Sequence, residues 1–229
     1  EDRMSAFLEG NTGFAYEGTY RGYFSLVKSG REEPLTTHAD HFNTNSAHTA
    51  AAYTKGAVFL EQLGYIIGAA QRDLLLLEYY KQWRFKHPNA ADFVRLGEKR
   101  SGLKLDWYKE YWVNSTKTID YAIDSLYELD GKTQIRLRRV GLMPMPIDLR
   151  ISFADSTTEL HYLPLDLMYG EKPAEDNGVR FVHDRWKWTH EIYTLECNRK
   201  LADIRLIEID PSMRLADVNR NNNKLTLSW

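Results

Sequence analysis

The sequence predicts an α+β chain of two domains: an all-helical part over residues 1–120, followed by an antiparallel β-sandwich over 121–229. Three observations predict it. Apolar residues recur at spacings of 3 and 4 between Ser46 and Trp112, the period changes from 3.6 to 2 after about Thr118, and Asp130-Gly131 separates two alternating runs as a hairpin signal. The crossover falls within residues 117–130, with no flexible linker.

The first helix opens near Ser46 and carries Tyr53, Ala57, Leu60, Gly64 and Ile67 on one face. Val58, Phe59, Leu63 and Ile66 fill the other side, so this helix is apolar nearly all round and is expected to be buried. Ala57 and Gly64 share a stripe where another backbone could come close. The surface of such a helix needs neighbours, so the chain is expected either to self-associate or to cover that surface with its own residues 1–33. A second helix is read from about Gln71 through Leu74, Leu75, Leu77, Tyr80 and Trp83, stopping before His87-Pro88. Asn89 with Asp92 three residues on reads as an N-cap, and Gly102 as the residue past a helix end. Leu105-Asp106 begins a fourth helix bearing Trp107, Tyr108, Tyr111 and Trp112.

Beyond the crossover, Ser125 to Glu128 and Gln134 to Leu137 flank the hairpin turn. Ile147, Leu149, Ile151 and Phe153 alternate as the next strand, and Asp155-Ser156 follows as a turn. Runs at Val179 to His183, Trp186 to Leu195 and Ile204 to Ile209 complete the strands, closing at Asp210-Pro211. Short strands at this spacing argue for a β-sandwich of about 100 residues.

Composition narrows the function classes. With 229 residues, 43% of them hydrophobic, the chain can build one large or two ordinary cores. Lys and Arg number 30 against 32 Asp and Glu, so the whole chain shows no electrostatic footprint for nucleic acid or an anionic membrane. Arg136, Arg138 and Arg139 form the one dense basic run and read as a solvated strand face. No apolar run approaches the ~20 residues that a bilayer requires. The single cysteine, Cys197, excludes an intrachain disulfide framework and reads as a packing residue. The chain begins Glu1-Asp2-Arg3 without an initiator methionine, so an upstream portion is expected to have been removed. Compartment stays open, a periplasmic or exported parent being compatible with these features. Walker loop, Rossmann glycine run, Gly-x-Ser-x-Gly elbow and Cys-x-x-Cys are all missing.

Tyr-x-Lys-Gly-Ala, here Tyr53 to Ala57, stands at the start of the apolar helix. It is followed by Phe59-Leu60, Leu63 and Ile67-Gly68, an aromatic helix ending in Phe85-Lys86-His87-Pro88, Asp92-Phe93, Ser101-Gly102, Leu105-Asp106-Trp107 and Trp112. This order resembles the helical half of the catalytic domain of the gluzincin zinc aminopeptidases, the membrane alanyl aminopeptidase type. The arginine-rich strand with Gly141, Asp210-Pro211, Leu215 to Asn219 and Asn221-Asn222 are similar to the sandwich and end of bacterial members, so the resemblance covers about residues 34–222.

The resemblance implies a hydrolase acting on the amino-terminal residue of peptides, with zinc as cofactor in the intact parent protein and Tyr53 as catalytic residue. In that family zinc is held by His-Glu-x-x-His plus a downstream glutamate, and the substrate's amino terminus by Gly-x-Met-x-Asn. Neither motif occurs in this chain. His190-Glu191-Ile192-Tyr193-Thr194 has threonine for the second histidine and lies in a strand pattern, where positions i and i+4 do not form the helical pair zinc requires. The zinc ligands are therefore expected upstream of Glu1, and the fragment alone is expected to bind no zinc and to be inactive. Tyr53 would then donate its phenol O–H to the oxygen on which negative charge develops, and a helix N-terminus beside it would add a favourable dipole end.

Other candidates are read more plainly. His38, His41 and His48 with Asp40 have spacings that match no metal site and read as a solvated or hydrogen-bonded loop. Lys55 reads as a helix-surface lysine, substrate contact being its alternative. Trp186, Trp188 and Tyr193 read as packing residues, a carbohydrate platform being theirs. Asn114-Ser115-Thr116 fits a glycosylation acceptor. The competing class for the whole chain is a noncatalytic module, either a degenerate peptidase relative or a sandwich that recognises glycan or protein.

Overall fold

The computed structural model describes residues 16–175 and 178–228. It is α+β, and by its contacts the chain divides into two compact units that meet between Lys117 and Thr118, at the near edge of the expected crossover.

In the first unit the helices are α1 (Glu17–Lys28), α2 (Asn45–Thr49), α3 (Gly56–Ile67), α4 (Ala69–Trp83), α5 (Ala90–Ser101) and α6 (Asp106–Trp112). Between α2 and α3 the backbone continues as a π-helical turn, Ala50–Lys55. Thr44 starts this continuous helix by accepting the Ala47 N–H on its hydroxyl at 3.1 Å, which satisfies one of the orphan donors of a helix N-terminus. Asn89 and Asp92 form a reciprocal capping box at α5, and Gly102 ends that helix at φ 72°, as their spacing predicts.

The buried stripe of the long helix is not the face expected from Tyr53, Ala57, Leu60, Gly64 and Ile67. It runs through Ala47, Ala51, Lys55, Phe59, Leu63 and Ile67, each four residues after the last and each buried. A spacing of four drifts forward on a helix of 3.6 residues per turn, and the wider π turn compensates that drift. α3 is buried all round from Glu61 to Ile67, but two of its core residues are polar: Gln62 donates to the Tyr20 hydroxyl at 2.7 Å, and Glu61 pairs with Arg72. Gly64 is approached by a side chain rather than a backbone, since a Cβ there would lie 2.8 Å from the Arg72 guanidinium. Of residues 1–33, expected to cover the apolar helix, residues 1–15 lie outside the described residues. Helix α1 does cover it, burying Tyr20, Tyr23 and Leu26.

The second unit carries β1 (Tyr121–Leu129), β2 (Lys132–Arg139), β3 (Ile147–Phe153), β4 (Thr158–Leu163), β5 (Arg180–Val182), β6 (Ile192–Cys197), β7 (Ile204–Ile209) and β8 (Lys224–Thr226). They form a three-stranded sheet ordered β1-β2-β6 and a five-stranded sheet ordered β5-β4-β3-β7-β8. All pairings are antiparallel except β4 with β5. Asp130 and Gly131 both take positive φ, 52° and 76°, and join Leu129 to Lys132 as the two-residue hairpin that the sequence announces. The run from Trp186 to Leu195 is a strand only from Ile192. Before it, the His190 N–H bonds back to the Lys187 carbonyl at 2.9 Å in a turn, while Trp186 is held in the core against Tyr121 and Tyr193.

Two features hold the ends of this unit together. The buried Asp217 carboxylate accepts the backbone N–H of Tyr121 at 2.8 Å and of Asn219 at 2.9 Å, joining the closing segment to the first strand. Gly141 sits against the chain just before β1, where the Val140 and Gly141 N–H groups both donate to the Asp120 carbonyl at 2.8 Å. A Cβ on Gly141 would stand 2.3 Å from the Thr118 oxygen and 2.5 Å from the Asp120 nitrogen, which only backbone displacement could relieve. Gly141→Ala is therefore expected to destabilise the second unit by about 1–3 kcal/mol or more, read as a lower urea midpoint at unchanged slope. An unaltered midpoint would show that the close approach does not exist.

Candidate functional site

The π turn places neighbouring side chains in opposite environments. Ala51 and Lys55 are buried, whereas Tyr53 between them is 75% exposed. Its hydroxyl has no hydrogen-bond partner among the described residues. Tyr53 is thus no core residue: neither its ring nor its hydroxyl serves packing within this unit. The backbone that carries it is fixed from the other side. Thr54 packs on α1, with its Cγ2 3.1 Å from where a Cβ of Gly22 would lie.

Lys55 overturns the surface reading. It is fully buried, its Nζ 2.7 Å from the Glu32 carboxylate and donating to the Ser115 carbonyl at 2.9 Å. Burial pushes the Lys55 ammonium down and the Glu32 carboxyl up, each shift opposed by the attraction of the partner. Desolvation therefore exceeds the mutual attraction on both sides of the pair. Glu32 was not visible to sequence reasoning, because nothing in a polar loop marks which carboxylate will enter a core. The π turn carries one usable signal: the strict spacing of four from Ala47 to Ile67, with a lysine inside an otherwise small or apolar series.

Tyr53 is also not in the first turn of its helix. That helix starts at Asn45, two turns earlier, and the dipole end expected beside the tyrosine acts only within the first turn.

The remaining candidates are engaged by partners within their own units. His38 and His41 stack on each other with ring centres 5.4 Å apart, and His48 packs on Phe42 at 5.1 Å. His38 Nδ1 accepts the Asp40 N–H at 3.3 Å, a bond local to the loop. Among the described residues no three His, Cys, Asp or Glu are grouped to hold a metal ion. Arg136 and Arg138 both reach the Asp124 carboxylate, at 3.2 and 3.0 Å, and Arg139 donates to the Trp188 carbonyl at 2.7 Å. Trp186 is buried while Trp188 is 43% exposed, so the three aromatics present no common platform. Cys197 is buried, which pushes its thiol up. Asn114 is exposed and donates to Glu110 at 2.8 Å.

Cavities of about 330 and 300 Å³ lie within the second unit. The one of about 330 Å³ is bounded by Asp148, Arg150, Glu159, Glu175, Arg180 and Pro211. Its charges are largely mutually satisfied: the buried Lys172 ammonium pairs with Asp148 and, at 3.1 Å, with Glu175, and Arg150 pairs with Glu208. Asp148 Oδ1 and Arg180 Nη1 are buried there with no hydrogen-bond partner among the described residues. Beside the cavity His161 Nε2 lies 3.2 Å from Glu159 and His161 Nδ1 2.9 Å from His183 Nε2, with Phe181 stacked on the His161 ring. Donation from Nε2 to the carboxylate leaves Nδ1 to accept from His183. Burial first, then the charge of His183, lowers His161 to about 4.

A scan of protein-family models finds no match to this chain, and a search of curated proteins finds none either.

The His161 shift fixes a pH dependence. The folded state holds the ring neutral down to about 4 while the unfolded chain takes a proton near 6.5, so its contribution to stability is full above 6.5 and is lost as pH falls towards 4. Asp210 and Asp217, raised by burial to about 7 and about 6, act in the opposite sense. They are common to wild type and His161→Gln, so the difference between the two reports on His161 together with its partner His183, which burial also lowers. Between pH 6.5 and 4.5 the variant should lose less stability than wild type in urea melts, and parallel curves would contradict the assignment.

Proposed function

We propose that this chain is the part of a zinc aminopeptidase of the gluzincin type that follows the zinc-binding segment: the helical C-terminal half of the catalytic domain and the β-sandwich after it. Peptides are the substrate class, hydrolysed at their amino-terminal residue, and Tyr53 is the catalytic residue this chain supplies. The observation that carries the reading is the presentation of Tyr53, an exposed phenol on a π turn whose flanking residues are buried. Single π turns inserted in α-helices recur at functional sites.

The reading also draws on the order of motifs from Tyr53 through Trp112 and on the placement of the sheets. Cys197 and Arg199, at the end of the three-stranded sheet, approach Glu159 of the five-stranded sheet at 3.9 and 4.0 Å, a proximity that supports reading the two sheets as sandwich layers.

The described residues do not supply a three-ligand zinc site, so no metal step is assigned to them. When bound in the intact protein, zinc would supply an activated water. This chain's part is a neutral O–H donor. As the scissile carbonyl is attacked, its oxygen gains negative charge, and a phenol held at hydrogen-bonding distance stabilises that charge more than it stabilises the ground state. One preorganised donor of this kind contributes about 3–4 kcal/mol in the transition state. An exposed tyrosine with a free hydroxyl is available for that role, whereas one whose hydroxyl was already bonded in a core would not be.

In the intact protein, Tyr53→Phe should lower kcat and kcat/KM together by about 10²- to 10³-fold, because the bond forms mainly in the transition state. Zinc content and the thermal melt should be unchanged, the ring being mostly exposed. A phenylalanine variant with near-wild-type kcat would remove Tyr53 from the mechanism.

A further inference from the structure

The geometry points to Lys55 and Glu32 as positioning residues: their buried pair fixes the π turn that aims the Tyr53 hydroxyl. This rests on the catalytic reading of Tyr53.

Two charges withdrawn from water are an unfavourable way to stabilise a helix. The penalty for burying them usually equals or exceeds their attraction, and replacing such a pair by uncharged groups of similar size is often neutral or stabilising. Here both partners are nearly inaccessible, with side-chain exposures of 1% and 6%. A pair that adds little stability can still determine where the chain runs. The Lys55 ammonium joins three separate segments: the loop at Glu32, the π turn itself, and the backbone at Ser115 just after α6. A point charge with several donors on a long stem can tie such segments together, and an apolar side chain at position 55 could not bond either oxygen.

The tie matters at Tyr53 because little else places that residue. Its hydroxyl has no partner among the described residues and its side chain is largely exposed. Its location therefore follows from the backbone of Ala50–Lys55, which is held at Ala51 by burial, at Thr54 by α1 and at Lys55 by the ion pair. A π turn needs such support, since its intrinsic stability is below that of the α-helix it interrupts. Without the pair, the turn can relax towards regular helix and rotate Tyr53 away. A displacement of about 1 Å at a reacting group can reduce rate about 10²-fold.

The test is a double-mutant cycle in the intact protein, using an aminoacyl substrate and three variants: Lys55→Met/Glu32→Gln, Tyr53→Phe, and all three changes together. The paired variant is expected to melt at or above the wild-type temperature, keep its KM, and lose about 10²-fold in kcat. In the Tyr53→Phe background the same pair of changes should cause no further loss, because the hydroxyl they position is already gone. If Tyr53→Phe is slow while the paired variant turns over at the wild-type rate, or if the losses multiply in full, the positioning role is wrong and the catalytic reading stands. If Tyr53→Phe itself turns over normally, both are wrong. Should the paired variant fold poorly in the intact protein, hydrogen exchange on the 229-residue chain gives an independent reading. Amides of Ala50–Lys55 should exchange faster in the paired variant and those of α3 should not, and equal protection in the π turn would overturn the proposal.

Discussion

A lysine in the core is the constraint around which the helical unit is arranged. Lys55 occupies a position in a buried stripe whose other members, from Ala47 to Ile67, are alanine, phenylalanine, leucine and isoleucine. Its ammonium has to find oxygen, and it does so by drawing in Glu32 and the Ser115 carbonyl. The loop before the long helix and the segment after α6 are both committed by that requirement. The π turn follows from the same stripe, since residues spaced four apart stay aligned only if the helix widens somewhere. A functional residue is then placed by exclusion, with Tyr53 directed outward because both neighbours in the stripe are directed inward.

The second unit solves a different problem with related means. Its five-stranded sheet is centred on β3, flanked by β4 and β7, but its closing segment is polar and has to be held by specific bonds. Asp217 does this through the backbone N–H of Tyr121, the first residue of β1, and Asp210 through the N–H groups of Arg214 and Leu215 at 3.1 and 2.8 Å. Both carboxyls are raised because burial outweighs these bonds. Gly141 belongs to the same device, because the backbone approach at Thr118 and Asp120 leaves no room for a side chain.

Most of this was legible where a local rule governs the outcome. The Asn89 capping box, Gly102 at a helix end and the Asp130-Gly131 hairpin are set by bonds within a few residues and appear as expected. Periodicity gave α4 and β7 to within two residues but missed α1 and β4. In β4 the order Thr-Glu-Leu-His-Tyr-Leu hides the alternation, because His161, Tyr162 and Leu163 are all buried. The face of the long helix was misread for a similar reason: a lysine counts as polar in any pattern, so the true stripe looked interrupted at Lys55 while the run through Tyr53 looked continuous. Tyr53 itself was singled out by its motif, but its exposure, its distance from the helix start and its dependence on Glu32 are tertiary facts. A carboxylate more than twenty residues away leaves no periodic trace.

The account is tested most directly at the Lys55 ammonium. Nitrogen-detected NMR of lysine side chains on this chain would follow its protonation and the exchange of its Nζ protons. The account predicts one lysine that titrates below the ordinary lysine range, exchanges slowly because it is buried, paired with Glu32 and bonded to the Ser115 carbonyl, and disappears from the spectrum on Lys55→Met. A Lys55 signal with an ordinary titration and solvent-fast exchange would place the side chain at the surface. The buried stripe, the support of the π turn and the positioning of Tyr53 would then fall together.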